Sequence, residues 1–186
     1  MSISEVKSEG TDRFEKTLEH LKDQLKRIRT GRATTALVDN IRVDYYGTPT
    51  PISQLAAVSI PEPRQIMIKP FDASVMKEVA KAIMQSDLGS APQNDGKLLR
   101  LNLPPLSGEQ RQKYSAKVKE MCEEARVALR NTRRDLNKHA DQEAKGGALT
   151  EDENRKLHDD IQKLLKDYEG KVDGLIAKKV TEIEEV

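Results

Sequence analysis

The chain is poor in the residues that build most compact cores and most redox or metal centres. Aromatic residues make up 3% of its 186 positions, Trp is absent, and Cys122 is the one cysteine. A core of large rings is excluded, as is a disulfide within one chain, which needs two thiols. No apolar run approaches the roughly 20 residues of a membrane-spanning helix. The opening Met1-Ser2-Ile3-Ser4-Glu5-Val6-Lys7 lacks the apolar centre of a secretory signal and the acid-poor character of a transit segment, so a cytoplasmic protein is expected. There is no phosphate-cradling Gly-rich loop, dinucleotide turn or nucleophile elbow. His20, His139 and His158 lack the four-residue spacing with a matched carboxylate that a helical metal site requires. Acid pairs such as Asp159-Asp160 and Glu184-Glu185 fit a solvated face better than a catalytic pair, because adjacent helical residues point about 100° apart. The expectation is a protein that is not an enzyme and binds no metal or cofactor.

Charge of both signs is abundant instead: 34% of residues are charged, with a net charge of +1. The whole chain is therefore no basic nucleic-acid binder, and such an activity would need local segregation of charge. Segregation is present. Residues 20–32 carry Lys22, Lys26, Arg27, Arg29 and Arg32 against Asp23, while residues 149–186 carry more acids than bases.

Three apolar patterns have helical spacing. Phe14, Leu18, Leu21, Leu25 and Ile28 alternate steps of four and three, which predicts a first helix over residues 12–29, ended by Thr30-Gly31-Arg32. Ser107-Gly108-Glu109-Gln110 has capping-box spacing and opens a second helix running to Gly146-Gly147, a reach of roughly 60 Å at 1.5 Å per residue. Thr150-Glu151-Asp152-Glu153 is another such box; Ile161, Leu164, Leu165, Tyr168, Val172, Leu175, Ile176, Val180 and Ile183 supply the third face. Three long amphipathic helices can share one elongated core.

Between residues 41 and 103 the period shortens. Ile41–Tyr46, a run near Ile52 to Ile60, Gln65–Lys69 and Leu98–Leu103 read as strands. Gly47-Thr48-Pro49-Thr50-Pro51, Pro61-Glu62-Pro63 and Asp95-Gly96 read as turns or edges. Val75, Val79, Ala82 and Ile83 make one short helix, ended by Gly89 after Leu88. The order helix, α/β insert, helix, helix predicts an insert joined through two short connectors, about which it could swing; a rigidly packed subdomain is the alternative. Tyr45-Tyr46-Gly47 offers either an aromatic platform for a base or partner, or one inward and one surface-lying ring.

The second helix carries two patterns. Val118, Cys122, Ala125, Leu129, Thr132 and Leu136 line one face, which makes Cys122 a small core residue and not a nucleophile or ligand. Arg126, Arg130, Arg133, Arg134 and Lys138 fall on a neighbouring sector, interrupted within the stretch only by Asp135. An exposed stripe of five cations suits regularly spaced phosphates, which Arg grips as a fork, and it equally suits an ordinary solvated face.

Several stretches together resemble the bacterial ribosome recycling factor family over essentially the whole chain: Ile28-Arg29-Thr30-Gly31-Arg32-Ala33, Val43-Asp44-Tyr45-Tyr46-Gly47-Thr48-Pro49-Thr50-Pro51, Ser86-Asp87-Leu88-Gly89, Leu103-Pro104-Pro105-Leu106, the arginine stretch Arg126 to Asp135, and Asp159-Asp160-Ile161-Gln162-Lys163-Leu164. The resemblance implies an α+β fold: an elongated antiparallel three-helix bundle, domain I, over residues 1–30 and 106–186, with an inserted small β/α/β domain II over residues 31–105. The outline would be a two-armed, L-like molecule with a hinge. It implies a translation factor that acts after peptide release. With elongation factor G and GTP bound and hydrolysed by that partner, the family splits the post-termination 70S ribosome into subunits and frees them from mRNA. Domain I lies on large-subunit rRNA near the inter-subunit bridges in this family, and domain II is the arm that elongation factor G pushes.

Carried onto this chain, the resemblance makes Arg133 the first rRNA contact, with Arg130, Arg134 and Arg126 beside it and Arg29 and Arg32 next. The last two either meet RNA at the bend or brace the hinge. Thr30, Gly31, Arg32, Leu103, Pro104, Pro105 and Leu106 form the hinge, where Gly widens and paired prolines limit the backbone's choices. The family commonly has Ser-Pro after Gly-Arg-Ala, whereas this chain has Thr34-Thr35, so its hinge angle is not transferable. A monomer that binds ribosomes and no membrane is expected. Two competing readings are a helical structural or chaperone-like protein that self-associates through its heptads, and a hibernation factor that keeps the subunits joined.

Overall fold

Residues 3–184 are described by the computed structural model, so Glu185 of the Glu184-Glu185 pair lies outside the described residues. The chain divides into two compact units: one takes α1 up to Leu25 with Ser115–Val180, the other Lys26–Tyr114 and the end of α6 from Thr181. Sequence reading draws its borders elsewhere, after residues 30 and 105.

The first unit is built from three long helices, α1 (Ile3–Lys26), α5 (Gly108–Lys145) and α6 (Glu151–Glu184). Helix α1 begins well before the expected residue 12 because Val6 and Gly10 extend its buried stripe by further steps of four. It ends at Lys26, short of the expected residue 29. The start of α5 is closed as the sequence predicts: Gln110 N donates to Ser107 Oγ at 3.2 Å, and Ser107 N donates to Gln110 Oε1 at 3.1 Å. At the start of α6 the same exchange joins Thr150 and Glu153, whose carboxyl group the Thr150 amide and hydroxyl hold below the usual carboxylate range.

Scarcity of aromatics sets how these helices pack. Phe14 of α1 meets Tyr168 of α6 with ring centroids 5.5 Å apart, and the Tyr168 hydroxyl donates to Glu15 Oε2 at 2.7 Å. Buried Gly10 brings α1 against α5 so closely that a Cβ there would stand 2.8 Å from Leu136 Cδ1. Cys122 is fully buried, and desolvation pushes its thiol up to about 11. On α6 the deeply buried residues are Leu157, Ile161, Leu165, Tyr168, Val172 and Ile183. Leu164, Leu175, Ile176 and Val180 are only partly covered, which narrows the expected third face. Nine apolar positions exceed what one helical stripe can bury against two neighbours.

The second unit holds α2 (Ala36–Asp39), β1 (Arg42–Tyr45), β2 (Thr48–Pro51), α3 (Ile52–Leu55), β3 (Ala56–Glu62), β4 (Gln65–Pro70), a 3₁₀ turn (Ala73–Val75), α4 (Met76–Met84), β5 (Gln93–Asn94) and β6 (Leu99–Asn102). β1 and β2 form an antiparallel hairpin; the other strands form an antiparallel sheet in the order β3-β4-β6-β5. Val43, Ile52, Ile66, Ile68, Val79, Ile83, Leu99 and Leu101 are fully buried in its core.

Two expectations need correction, and one open choice is decided. Thr48–Pro51, expected as a turn or an edge, is an edge strand, where its prolines need donate nothing because it pairs only with β1. The reversal before it needs only Tyr46 and Gly47, at φ 49 and φ 82, with Gly47 N donating to Asp44 Oδ1 at 2.8 Å. Ile52–Leu55 is a helical turn and not the start of a strand: its two ends lie three residues apart and are buried together. The short helix stops at Met84, before Gly89. Among the described residues, no helix is long and apolar enough to cross a membrane.

Two measurements test this packing. Gly10→Val should lower unfolding free energy by about 1–3 kcal/mol, from overpacking against Leu136, read as a reduced urea midpoint at constant slope. Burial, first, and the Glu15 contact raise the Tyr168 pKa to about 12. The folded state thus resists ionisation, so Tyr168 should contribute stability fully below pH 10 and lose it as pH rises toward 12. Tyr168→Phe should lack that decline in denaturant titrations across the alkaline range.

Candidate nucleic-acid interface

Helix α5 is oriented by its buried seam of Val118, Cys122, Ala125, Leu129, Thr132, Leu136 and Ala140. That seam decides where the cationic sector points, and the sector is not uniformly exposed. Arg126 donates to Glu123 Oε2 of its own helix at 3.0 Å and to Asp173 of α6. These bonds, Asp173 first, raise the Arg126 pKa. Arg130 Nε donates to Glu169 Oε1 at 3.2 Å, and its Nη1 lies 3.5 Å from Glu123 Oε1. Arg133 is partly buried; its Nη1 donates to Gln162 Oε1 at 3.0 Å.

Arg134 and Lys138 are exposed, with no ion pair among the described residues. Asp135, the acid expected to interrupt the stripe, is taken by Arg13 of α1 at 2.7 Å. The expected exposed stripe of five cations is therefore corrected to two zones. Around Arg126 and Arg130 the carboxylates of Glu123, Glu169 and Asp173 outnumber the cations. From Arg133 to Lys138 the facing partner is a neutral amide and the surface is positive. A single-helix projection cannot show acids that a second helix contributes. Their signal was nonetheless in the numbering: once the α5–α6 reversal is placed, residue 126 faces 173 and 130 faces 169, moving four residues in opposite directions.

The other cations fall in the second unit. Arg29 is 5% exposed, and its guanidinium donates to Leu88 O at 3.1 Å and to Pro104 O. It links the segment leaving α1 to the segment entering α5 and has no surface left for a phosphate. Arg32 is exposed, while Thr30 and Gly31 are buried. Both segments also bond to one turn: Ala33 N donates to Pro63 O at 2.7 Å and Leu103 N to Arg64 O at 2.8 Å. Leu103 and Leu106 are buried; Pro104 and Pro105 are exposed. Sequence reading missed Leu88, Pro63 and Arg64, because a carbonyl acceptor leaves no mark on residue type. At the β1–β2 tip Tyr46 is 81% exposed, and its ring meets Tyr45 edge-on at 4.8 Å. Among the described residues, no group of three or more His, Cys, Asp or Glu could hold a metal ion.

The profile of the ribosome recycling factor family matches residues 21–183. A ribosome-recycling factor of Oleidesulfovibrio alaskensis is 48% identical over 178 residues, covering 96% of this chain and 97% of that protein. One of Clostridioides difficile is 45% identical over 182 residues, covering 98% of each. A solution structure of the ribosome recycling factor superposes with a TM-score of 0.77 at 33% identity, covering 100% of this chain and 99% of the other. A second structure describes the Thermus thermophilus factor and Escherichia coli elongation factor G bound to the post-termination complex; it matches with a TM-score of 0.68 at 39% identity, covering 98% and 99%.

The bridging role of Arg29 has a direct test. Arg29→Lys keeps the charge but replaces a planar fork by one ammonium that cannot serve both carbonyls. Unfolding free energy should fall by about 1.5–3 kcal/mol, and Arg29→Gln should lose at least as much. Equal stability of wild type and Arg29→Lys in denaturant titrations would remove the bridge from the account.

Proposed function

The chain belongs to the ribosome recycling factor family, and from that membership we propose that it is a translation factor that dissociates post-termination ribosomes into subunits, with elongation factor G and GTP, so that they are released from mRNA and reused. The observation that carries this reading is similarity along nearly the whole chain, joined to a positive zone on α5 at the place the family's RNA grip would occupy.

In this reading residues 1–30 and 106–186 form the rRNA-binding rod and residues 31–105 the arm that elongation factor G engages. Arg133, Arg134 and Lys138 make the first phosphate contacts, with Arg130, Arg126 and the exposed Arg32 secondary. Arg29 is assigned to bracing, since burial and two carbonyl partners occupy its guanidinium. Thr30, Gly31, Leu103, Pro104, Pro105 and Leu106 shape the connectors. Energy for parting the subunits comes from GTP hydrolysis on the partner; this chain contributes a stiff lever and a salt-sensitive grip, with no active site or cofactor of its own. It works as a monomer in the cytoplasm, where its ribosomes are.

Light scattering of post-termination ribosomes mixed with this protein, elongation factor G and GTP should fall only when all components are present. Arg133→Ala should slow that fall. Arg134→Ala should reduce the slope of log affinity against log salt by about 0.7–0.9, the value of one released phosphate contact. Ribosome binding without any fall in scattering would point to a factor that keeps the subunits joined.

A further inference from the structure

The pairing of Arg126 and Arg130 has a consequence for which RNA the protein accepts, and it rests on the reading that α5 carries the grip. Both arginines belong to the cationic sector, yet each is held by α6: Arg126 by Asp173, Arg130 by Glu169 at 3.2 Å, with Glu123 touching both. A carboxylate offers guanidinium the same two-oxygen edge that a phosphate does. We infer that Glu169 and Asp173 are an internal phosphate mimic: they occupy Arg126 and Arg130, repel RNA that docks out of register, and yield those arginines only where phosphates are correctly placed.

Three observations support the assignment. The acids come from exposed or partly exposed positions, with side-chain exposures of 62% for Asp173 and 27% for Glu169, so the pairs are open to exchange. Solvated pairs of this kind contribute little to folding, which leaves their conjunction opposite the candidate grip otherwise unexplained. And the masking stops abruptly: the next arginine along α5, Arg133, faces Gln162, and Arg134 and Lys138 meet no acid among the described residues. Repulsion of unsuitable ligands is a usual source of specificity where attraction alone is indiscriminate. A free factor with five bare cations would be held by any exposed RNA; a masked one presents three.

The test uses the full chain and a labelled, unstructured RNA oligonucleotide unrelated to the ribosome, followed by fluorescence anisotropy across a KCl series. Glu169→Gln with Asp173→Asn should tighten binding by about tenfold at low salt and steepen the salt slope by roughly 1.4–1.8, the value of two more phosphate contacts. Each single substitution should give a smaller part of the gain. Asp159→Asn with Asp167→Asn, which removes the same charge from α6 where no α5 arginine pairs, should give a far smaller change. Adding Arg126→Ala and Arg130→Ala to the unmasked variant should abolish the gain. Binding unchanged within twofold, or no tighter than the Asp159/Asp167 control, overturns the inference. Failure of the underlying reading looks different: Arg134→Ala with Lys138→Ala would then leave RNA binding by the wild-type background unaltered.

Discussion

The register of one helical hairpin governs the chemistry of this molecule. Helix α5 ends at Lys145, Gly147 turns at φ 77, and Ala148 N and Gly147 N donate back to Glu143 O and Ala144 O at 2.9 and 3.1 Å. That closure satisfies carbonyls at the helix end and fixes where α6 begins. Every later contact inherits the choice. Displace the reversal by one residue and each arginine of α5 would face a site about 100° away on α6, where its carboxylate partner is not.

A core with so few rings obtains its fit differently. Gly10 lets two backbones approach, small Ala125 and Ala140 lie in the seam, and one aromatic contact, Phe14 with Tyr168, supplies most of the ring area in the bundle. Close approach of regular helices favours straightness and stiffness, which a long element needs if it is to transmit force. The sheet unit instead uses β-branched and leucine side chains from β1, β4 and β6 and from the short helices α2, α3 and α4.

Most of this architecture was legible in the sequence, for identifiable reasons. Periodicity located all three long helices, and the Ser107 and Thr150 boxes gave two of their starts to the residue. The early part of α1 was missed because Val6 and Gly10 continue the stripe with one small residue in place of a large one. The prolines of β2 left its segment open between turn and edge, and β5 was hidden by its length of two residues. At the candidate interface the cations themselves were readable, but not the share of their neutralisation that comes from α6: Glu123 lies on the same helix, whereas Glu169 and Asp173 are brought in from a distant part of the chain. Arg29 shows the same limit: in sequence it is one more cation, and only packing against Leu88 and Pro104 makes it an internal brace.

The depth of Cys122 has a chemical corollary. With desolvation pushing it up to about 11 and its side chain fully buried in the helix seam, the Cys122 thiol stays protonated at neutral pH. Disulfide exchange and peroxide oxidation both proceed through the thiolate. Oxidants that act on surface thiols therefore find no handle at Cys122 while the chain stays folded, and the exposed sulfur among the described residues is instead the Met84 thioether, 67% exposed, which peroxide converts to a sulfoxide.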